Sequence, residues 1–475
     1  MKGVIARESL GLEGVLGLQT SLTKFARSCY PDNLQYVDEA LGNCVDCLAE
    51  EDASDYGEQI VELLSIPLNS GTNVLQILSL ENFPPLMNKL LPPRQREVAA
   101  QLCRALISTD AVLDTPQLVE PLFMFINPLI VEDTSGGEEG EDGGESEDQN
   151  LLARLVHLLR TDNLDVLYKL YNGTRKMFGQ GGPARIKTTF PPLVVNAIRV
   201  ATELKAAVDK GDSPYSTSPK KVFQFCHQTC TELKKHGHSE LALRLFLLCA
   251  QGAATAGFEP VVYEFFCQAF TTYEEEISDS RQQFATLSMC IGTLRSLPPG
   301  GLEADNYDTL AKKCTGMANK LMKKQDSCKG LYLCSHLFWA PTEEGMRDAK
   351  KIMECLKKSL KVADTCIQQD PKHVALFVDI LNEYIYFFEQ GVVRLPPPPP
   401  RPPACQLHPR GWFGLRNLKL AALVQKEALK FFEALLQLIA EYAAQDGVEE
   451  RTLAYLENTK VYMRTNAELA GFAPS

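Results

Sequence analysis

The chain has 475 residues, 45% hydrophobic and 23% charged, a composition that can build a large core and excludes global disorder. At roughly 100–200 residues per domain it holds two to four domains or one repeat array. The formal net charge is −12, but nine acids fall within 131–149. Without them the remainder sits near −3, which argues against nucleic acid as the main partner because such binders carry a basic excess.

In chain order the sequence reads as helices separated by short breakers. Leu18, Leu22, Phe25 and Cys29 recur at helical spacing and predict a core-facing stripe that Tyr30-Pro31-Asp32-Asn33 stops. Val37, Leu41, Cys44 and Leu48 form the next stripe. The acidic, Gly- and Ser-rich stretch 132–149 reads as a disordered loop. Pro260 opens a helix carrying Val262, Phe266, Phe270 and Tyr273. Asp279 or Ser280 caps one carrying Phe284, Leu287, Ile291 and Leu294, which Pro298-Pro299-Gly300-Gly301 ends. Further stripes follow at Ile352, Leu356, Leu360 and Ala363, then at Val374, Val378, Leu381, Ile385 and Phe388. Eight of the 28 prolines crowd into 392–412, which predicts polyproline II or disorder. A helical pattern resumes over 418–444.

The expected fold is therefore all-α, an α-solenoid of HEAT-like antiparallel helix pairs. Its expected parts are helical repeats over 1–131, an acidic loop over 132–149, C-terminal repeats over 150–390, a Pro-rich insertion over 391–414 and closing helices over 415–475. No run of about 18 uncharged apolar residues predicts a membrane span. The N-terminus lacks the apolar centre of a signal peptide. Fifteen cysteines, an odd number set on helix-like stripes, read as buried free thiols in a reducing compartment, the cytosol.

Few residues suggest chemistry. Cys226, Cys230, His236 and His238 lie within 13 positions, as zinc ligands can. However, Val222, Cys226, Cys230 and Leu233 share one apolar stripe, and the histidines suit a helix C-terminus. We expect packing there and no metal site. Cys44 and Cys47 sit mid-helix without a second pair, and the glycines at 179, 181 and 182 lack the Gly-Lys-Ser/Thr of a phosphate loop. Glu274, Glu275 and Glu276 have no second acidic cluster facing them that would make a diphosphate site. No catalytic residue and no cofactor are expected. Lys320, Lys323 and Lys324 share a helix face and could meet an acidic patch such as Glu274 to Glu276. His336-Leu337-Phe338-Trp339 places one of only two tryptophans beside a histidine, and His336 and Trp339 are candidate interface anchors.

Spaced along 15–390 are segments that resemble the vacuolar protein sorting-associated protein 35 family, the long scaffold subunit of retromer. They include Cys29-Tyr30-Pro31-Asp32 with Tyr36-Val37-Asp38, and Leu155-Val156-His157-Leu158-Leu159-Arg160. Others are Phe178-Gly179-Gln180-Gly181-Gly182, Glu276-Ile277-Ser278-Asp279-Ser280, His336-Leu337-Phe338-Trp339 and Met353-Glu354-Cys355-Leu356-Lys357-Lys358. The resemblance implies a non-enzymatic cytosolic scaffold, peripheral on endosomes, that serves retrieval of transmembrane cargo. It implies that the C-terminal solenoid docks a small metallophosphoesterase-like subunit, with His336 at the interface. It also implies homodimerisation through Glu274, Glu275 and Glu276 against Lys320, Lys323 and Lys324. Membrane contact would be indirect, through sorting nexins or a small GTPase. The resemblance reaches only the C-terminal half to two-thirds of a family member. The Pro-Arg-Leu-Tyr-Leu segment that binds the arrestin-like subunit is absent, so that partner does not carry over. The proline run at 392–412 interrupts the match and reads as a retained intron or gene-model error. Another cytosolic α-solenoid adaptor is the alternative reading.

Overall fold

The computed structural model describes residues 11–31, 33–49, 53–69, 74–131, 142–211, 214–339, 346–390, 431–444 and 448–466, with side chains from 147 onward in the segment that starts at 142. The Pro-rich stretch 391–414 and positions 132–141 lie outside them. The chain divides into two compact units, 1–256 and 257–475. The sequence reading had set no boundary at that point.

The first unit holds α1 (Leu12–Cys29), α2 (Gln35–Cys47), α3 (Gly57–Leu68), α4 (Phe83–Met87), α5 (Pro92–Ser108) and α6 (Pro116–Ile130). It continues with α7 (Asp142–Leu155), α8 (Leu164–Phe178), α9 (Pro183–Asp209), α10 (Pro219–Lys235) and α11 (Ser239–Thr255). Packing is serial: α1 meets α2 and α3, α3 meets α5, α5 meets α6 and α7, and α9 meets α7, α8, α10 and α11. Neighbour-on-neighbour packing of helix pairs is the solenoid arrangement, in which each repeat buries its apolar face on the next.

Local chemistry sets the helix ends. Proline opens α5, α6, α9 and α10, where its missing N–H costs nothing. Asn163 and Ser218 cap α8 and α10 by accepting hydrogen bonds from first-turn amides. The turn from α10 to α11 is a Schellman motif. The N–H of Gly237 donates to Lys234 and that of His238 donates to Leu233, with Gly237 at φ 84°, a conformation that favours glycine.

Two expectations need correction in this unit. Helix α7 starts at Asp142, inside the stretch expected to be a loop. Glu147 and Asp148 are paired with Arg104 and Arg96 of α5 at 2.8 and 3.4 Å. In α1, the buried face is Val15, Leu16, Gln19, Thr20, Thr23 and Arg27, and the stripe read as core-facing is only partly covered, with Leu18 and Leu22 half-buried, Cys29 exposed and Phe25 64% exposed. The stripe at Val37, Leu41, Cys44 and Leu48 is fully buried as expected.

The second unit holds α12 (Glu259–Glu276), α13 (Ser280–Arg295), α14 (Ala304–Lys320), α15 (Lys324–Ser335), α16 (Ala349–Gln369) and α17 (Ala375–Glu389), then helical residues 431–443 (α18) and α19 (Glu450–Thr465). Asp279 caps α13, accepting from the amides of Arg281 and Gln282 at 3.0 and 2.9 Å. Three residues join α12 to α13 and α14 to α15, so consecutive helices turn back on one another. Here α13 meets α14 and α15, α15 meets α16 and α17, and α17 meets α19. The fold is an all-α solenoid of HEAT-like antiparallel pairs. Its core is apolar: Val262, Phe266, Phe270, Ile352, Leu356, Val378 and Leu381 are all fully buried, each contributing roughly 1.5–3 kcal/mol. Among the described residues no strand forms, every cysteine is a free thiol, and no helix is long and apolar enough to cross a membrane.

Candidate partner-binding site

Helix α15 ends in a 3-10 turn, His336–Phe338. Leu337 and Phe338 are 1% and 2% exposed, so burial of these two side chains draws the turn onto the core. The backbone then extends at Trp339, which forms an isolated antiparallel bridge with Arg347. The Asp348 N–H donates to the Phe338 carbonyl at 2.9 Å, and the Arg347 guanidinium lies 5.2 Å from the centre of the Trp339 ring. Asp348 next caps α16 by accepting from the Lys351 amide. The chain leaving the turn is thereby tied to the chain entering α16.

His336 faces inward, its side chain only 12% exposed. Its Nε2 meets the Glu383 carboxylate at 2.5 Å, and its ring lies 5.1 Å from Tyr386 and 5.0 Å from Phe387. Nδ1 of the same ring is buried without a hydrogen-bond partner. Glu383, Tyr386 and Phe387 all come from α17. The sequence reading missed them; the available signal was that Asp379, Glu383 and Tyr386 recur at helical spacing beside the buried stripe of that helix.

The polar edge of α17 runs on either side of this histidine. Asp379 accepts from the hydroxyls of Tyr332 and Tyr455 at 3.4 and 3.2 Å. Burial raises its carboxyl above the ordinary range, and the Tyr455 hydroxyl is the largest opposing influence. Asn382 donates to Tyr455 at 2.7 Å and accepts from Thr459 at 3.1 Å, and Glu389 accepts from Tyr462 and Asn466. Helix α19 is thus zipped along the same edge that holds His336.

A second cluster lies at the start of α16. Asp308 accepts from Lys312 and Lys351, both at 2.6 Å. Burial would lift its carboxyl, but the two lysines outweigh burial and hold it below the ordinary value. Lys351 also lies 5.4 Å from the centre of the Phe338 ring, which couples this cluster to the turn.

His336 and Trp339 share one turn but serve different neighbours, α17 and Arg347. Glu274, Glu275 and Glu276 are exposed at the end of α12, where Glu274 pairs with Lys313 of α14 at 3.2 Å. Lys313 was not singled out from the sequence, although it stands seven residues before Lys320 and so on the same helix face. Lys320, Lys323 and Lys324 do not share one helix face as expected, because α14 ends at Lys320 and α15 begins at Lys324; they are exposed around that turn, beside Met322, which is 80% exposed. Cys226 and Cys230 are fully buried against Cys249, whose thiol is pushed far up by burial and by its two neighbours. His236 and His238 are engaged elsewhere, with Glu232 and the Pro183 carbonyl.

A model of the vacuolar protein sorting-associated protein 35 family matches residues 1–396. The chain is 37% identical over 408 residues to vacuolar protein sorting-associated protein 35A of Arabidopsis thaliana, covering 83% of this chain and 51% of that protein. It is 30% identical over 404 residues to vacuolar protein sorting-associated protein 35 of Dictyostelium discoideum, covering 82% of this chain and 51% of that protein. The chain spans about half the length of the curated relatives it matches. A solved circular tandem repeat protein, 12% identical, covers 98% of this chain and 93% of its own at a TM-score of 0.27, too slight a likeness to bear on the fold.

Proposed function

The chain belongs to the vacuolar protein sorting-associated protein 35 family, and from that premise we propose that it is a non-enzymatic scaffold subunit of a retromer-type sorting complex. In this reading the C-terminal unit docks the small metallophosphoesterase-like subunit through the turn that carries His336 and Trp339. Function is then geometry: serially packed helix pairs hold separate docking surfaces at set positions. The complex works in retrieval of transmembrane cargo from endosomes, and the chain reaches the membrane through other proteins. The observation that carries the reading is the His336 turn. A histidine held by Glu383, Tyr386 and Phe387, next to a tryptophan capped by Arg347, is a rigid anchor set close to the surface. Self-association through Glu274 to Glu276 and Lys320, Lys323 and Lys324 is supported by the exposure of both sets.

Calorimetric titration of the purified chain with the small subunit tests the docking. One-to-one binding is expected. His336→Arg is expected to weaken it by at least about tenfold, or about 1.4 kcal/mol. The longer guanidinium can still reach Glu383 but cannot occupy the space between Tyr386 and Phe387 without moving the turn. Glu383→Gln, which keeps the shape and removes the charge, should give a smaller loss. Unchanged affinity in a folded His336→Arg chain would refute the interface role.

A further inference from the structure

We propose that α19 is a releasable strap whose seating on the polar edge of α17 sets the order of the His336 turn. Its effect on docking rests on the reading above. The strap itself rests on the packing of the second unit alone.

The strap character follows from what α19 buries. Its inward residues are Thr452, Leu456, Thr459 and Met463, a stripe at helical spacing in which only two side chains are apolar. Helix α17 buries nine residues, among them Phe377, Leu381 and Phe387. Little within α19 compensates. No side chain caps its N-terminus, and its 16 residues include three threonines and a valine, which are modest helix formers. It is held instead by polar side chains: Tyr455, Thr459, Tyr462 and Asn466 bond to Asp379, Asn382 and Glu389 of α17. The bonds of Tyr455, Tyr462 and Asn466 are exposed to water. A helix with few buried apolar side chains and water-exposed hydrogen bonds is the part of a fold that opens first.

The coupling to the turn runs through Asp379. One of its carboxylate oxygens accepts from Tyr455 of α19 at 3.2 Å and the other from Tyr332 at 3.4 Å. Tyr332 stands on α15, about one helical turn before His336. The same carboxylate therefore joins the strap to the helix that ends in the docking turn. One turn further along α17, Glu383 holds His336, and Asn382 beside it is bonded to both Tyr455 and Thr459. With α19 seated, Asp379 and Asn382 on one side of Glu383 and Glu389 on the other are all pinned. Bonds that share partners in this way hold one another in place. Release of α19 leaves Asp379 with the longer bond from Tyr332 and deprives Asn382 and Glu389 of these partners. Glu383, and the histidine it holds, then lose their fixed position.

The test is hydrogen exchange of the full chain, read peptide by peptide, with calorimetry against the small subunit alongside. In the parent, α19 should exchange at least about tenfold faster than α16 and α17. Tyr455→Phe with Thr459→Val and Tyr462→Phe keeps the bulk of the three side chains and removes their hydroxyls. That variant should raise exchange at least about threefold, both in α19 and at the Asp348 amide, which donates to Phe338. It should leave α13 and α14 unchanged and weaken docking by at least about threefold. Val461→Ala, at a 50% exposed position on the outer side of α19, should raise exchange in neither place. An α19 that exchanges as slowly as α17 in the parent would overturn the proposal. So would a triple variant whose turn is unaltered while α19 exchanges faster. A parent that fails to dock while exchange follows the expected pattern would uphold the strap and refute the docking reading.

Discussion

Gly181 and Gly173 stand eight residues apart under opposite constraints. A Cβ on Gly181 would lie 2.6 Å from the Ile130 carbonyl oxygen, a backbone atom that cannot swing aside, whereas a Cβ on Gly173 would meet nothing within 4 Å. Gly181→Ala should therefore destabilise by about 1–3 kcal/mol through overpacking. Gly173→Ala, in the interior of α8, should stabilise by about 0.5–1 kcal/mol because alanine loses less backbone entropy. Thermal melts of the two variants followed by circular dichroism should move in opposite directions. The surrounding residues explain the crowding. The end of α6 is held from two sides, with the Leu129 carbonyl accepting from Arg185 at 2.8 Å and from Gln149 at 3.1 Å. Both donors are nearly fully buried and satisfy a helix-end acceptor that would otherwise be an orphan. The sequence showed glycines at 179, 181 and 182 without the Gly-Lys-Ser/Thr of a phosphate loop. It did not show that α6, some fifty residues earlier, makes glycine obligatory there.

The link into α10 is fastened at the level of elements. Asp165, in the first turn of α8, accepts from the Ser216 amide at 2.8 Å, the Ser216 hydroxyl at 3.0 Å and the Thr217 amide at 2.7 Å. Burial alone would raise this carboxyl, but hydrogen bonds from the backbone and side chains of Ser216 and Thr217 outweigh it and pull the pKa down to about 2. A folded-state pKa below the ordinary value of about 3.9 means stability that is present above pH 4 and lost as pH falls towards 2. The parent chain should hence melt higher than Asp165→Asn at pH 5, and the difference should shrink steadily as the pH falls towards 2. A difference that stays constant across that range would remove the electrostatic explanation. Helix α1 shows the limit of periodicity at the same scale. The spacing of Leu18, Leu22 and Phe25 correctly announced a sided helix, but not which side its neighbours α2 and α3 would cover.

Across the whole molecule, each unit packs its helices in series, and two exposed charge clusters of the second unit sit at helix ends. Lys320, Lys323 and Lys324 surround an exposed Met322, and Glu274 to Glu276 end α12. Under the self-association reading, Lys323→Glu with Lys324→Glu should lower the sedimentation-equilibrium mass of the chain. Raising the ionic strength should weaken the parent assembly in the same sense, because exposed charge pairs are screened beyond about 10 Å at 0.1 M salt. A parent chain that is monomeric at every salt concentration would sink that reading.

The sequence by itself determined the all-α class, the family, the burial of most cysteines and many helix ends. These are local properties. The Asp279 cap, the stop at Tyr30-Pro31 and the stripes on α2, α12 and α17 follow from hydrogen bonding and side-chain contact within one or two turns. Tertiary structure alone decided that Glu383, 47 residues away, holds His336, that Lys313 is the partner of Glu274, and that Phe25 of the α1 stripe stands exposed. Each depends on how one helix stacks on another, and a shift of a single position along either helix turns its side chains by about 100° and changes every partner.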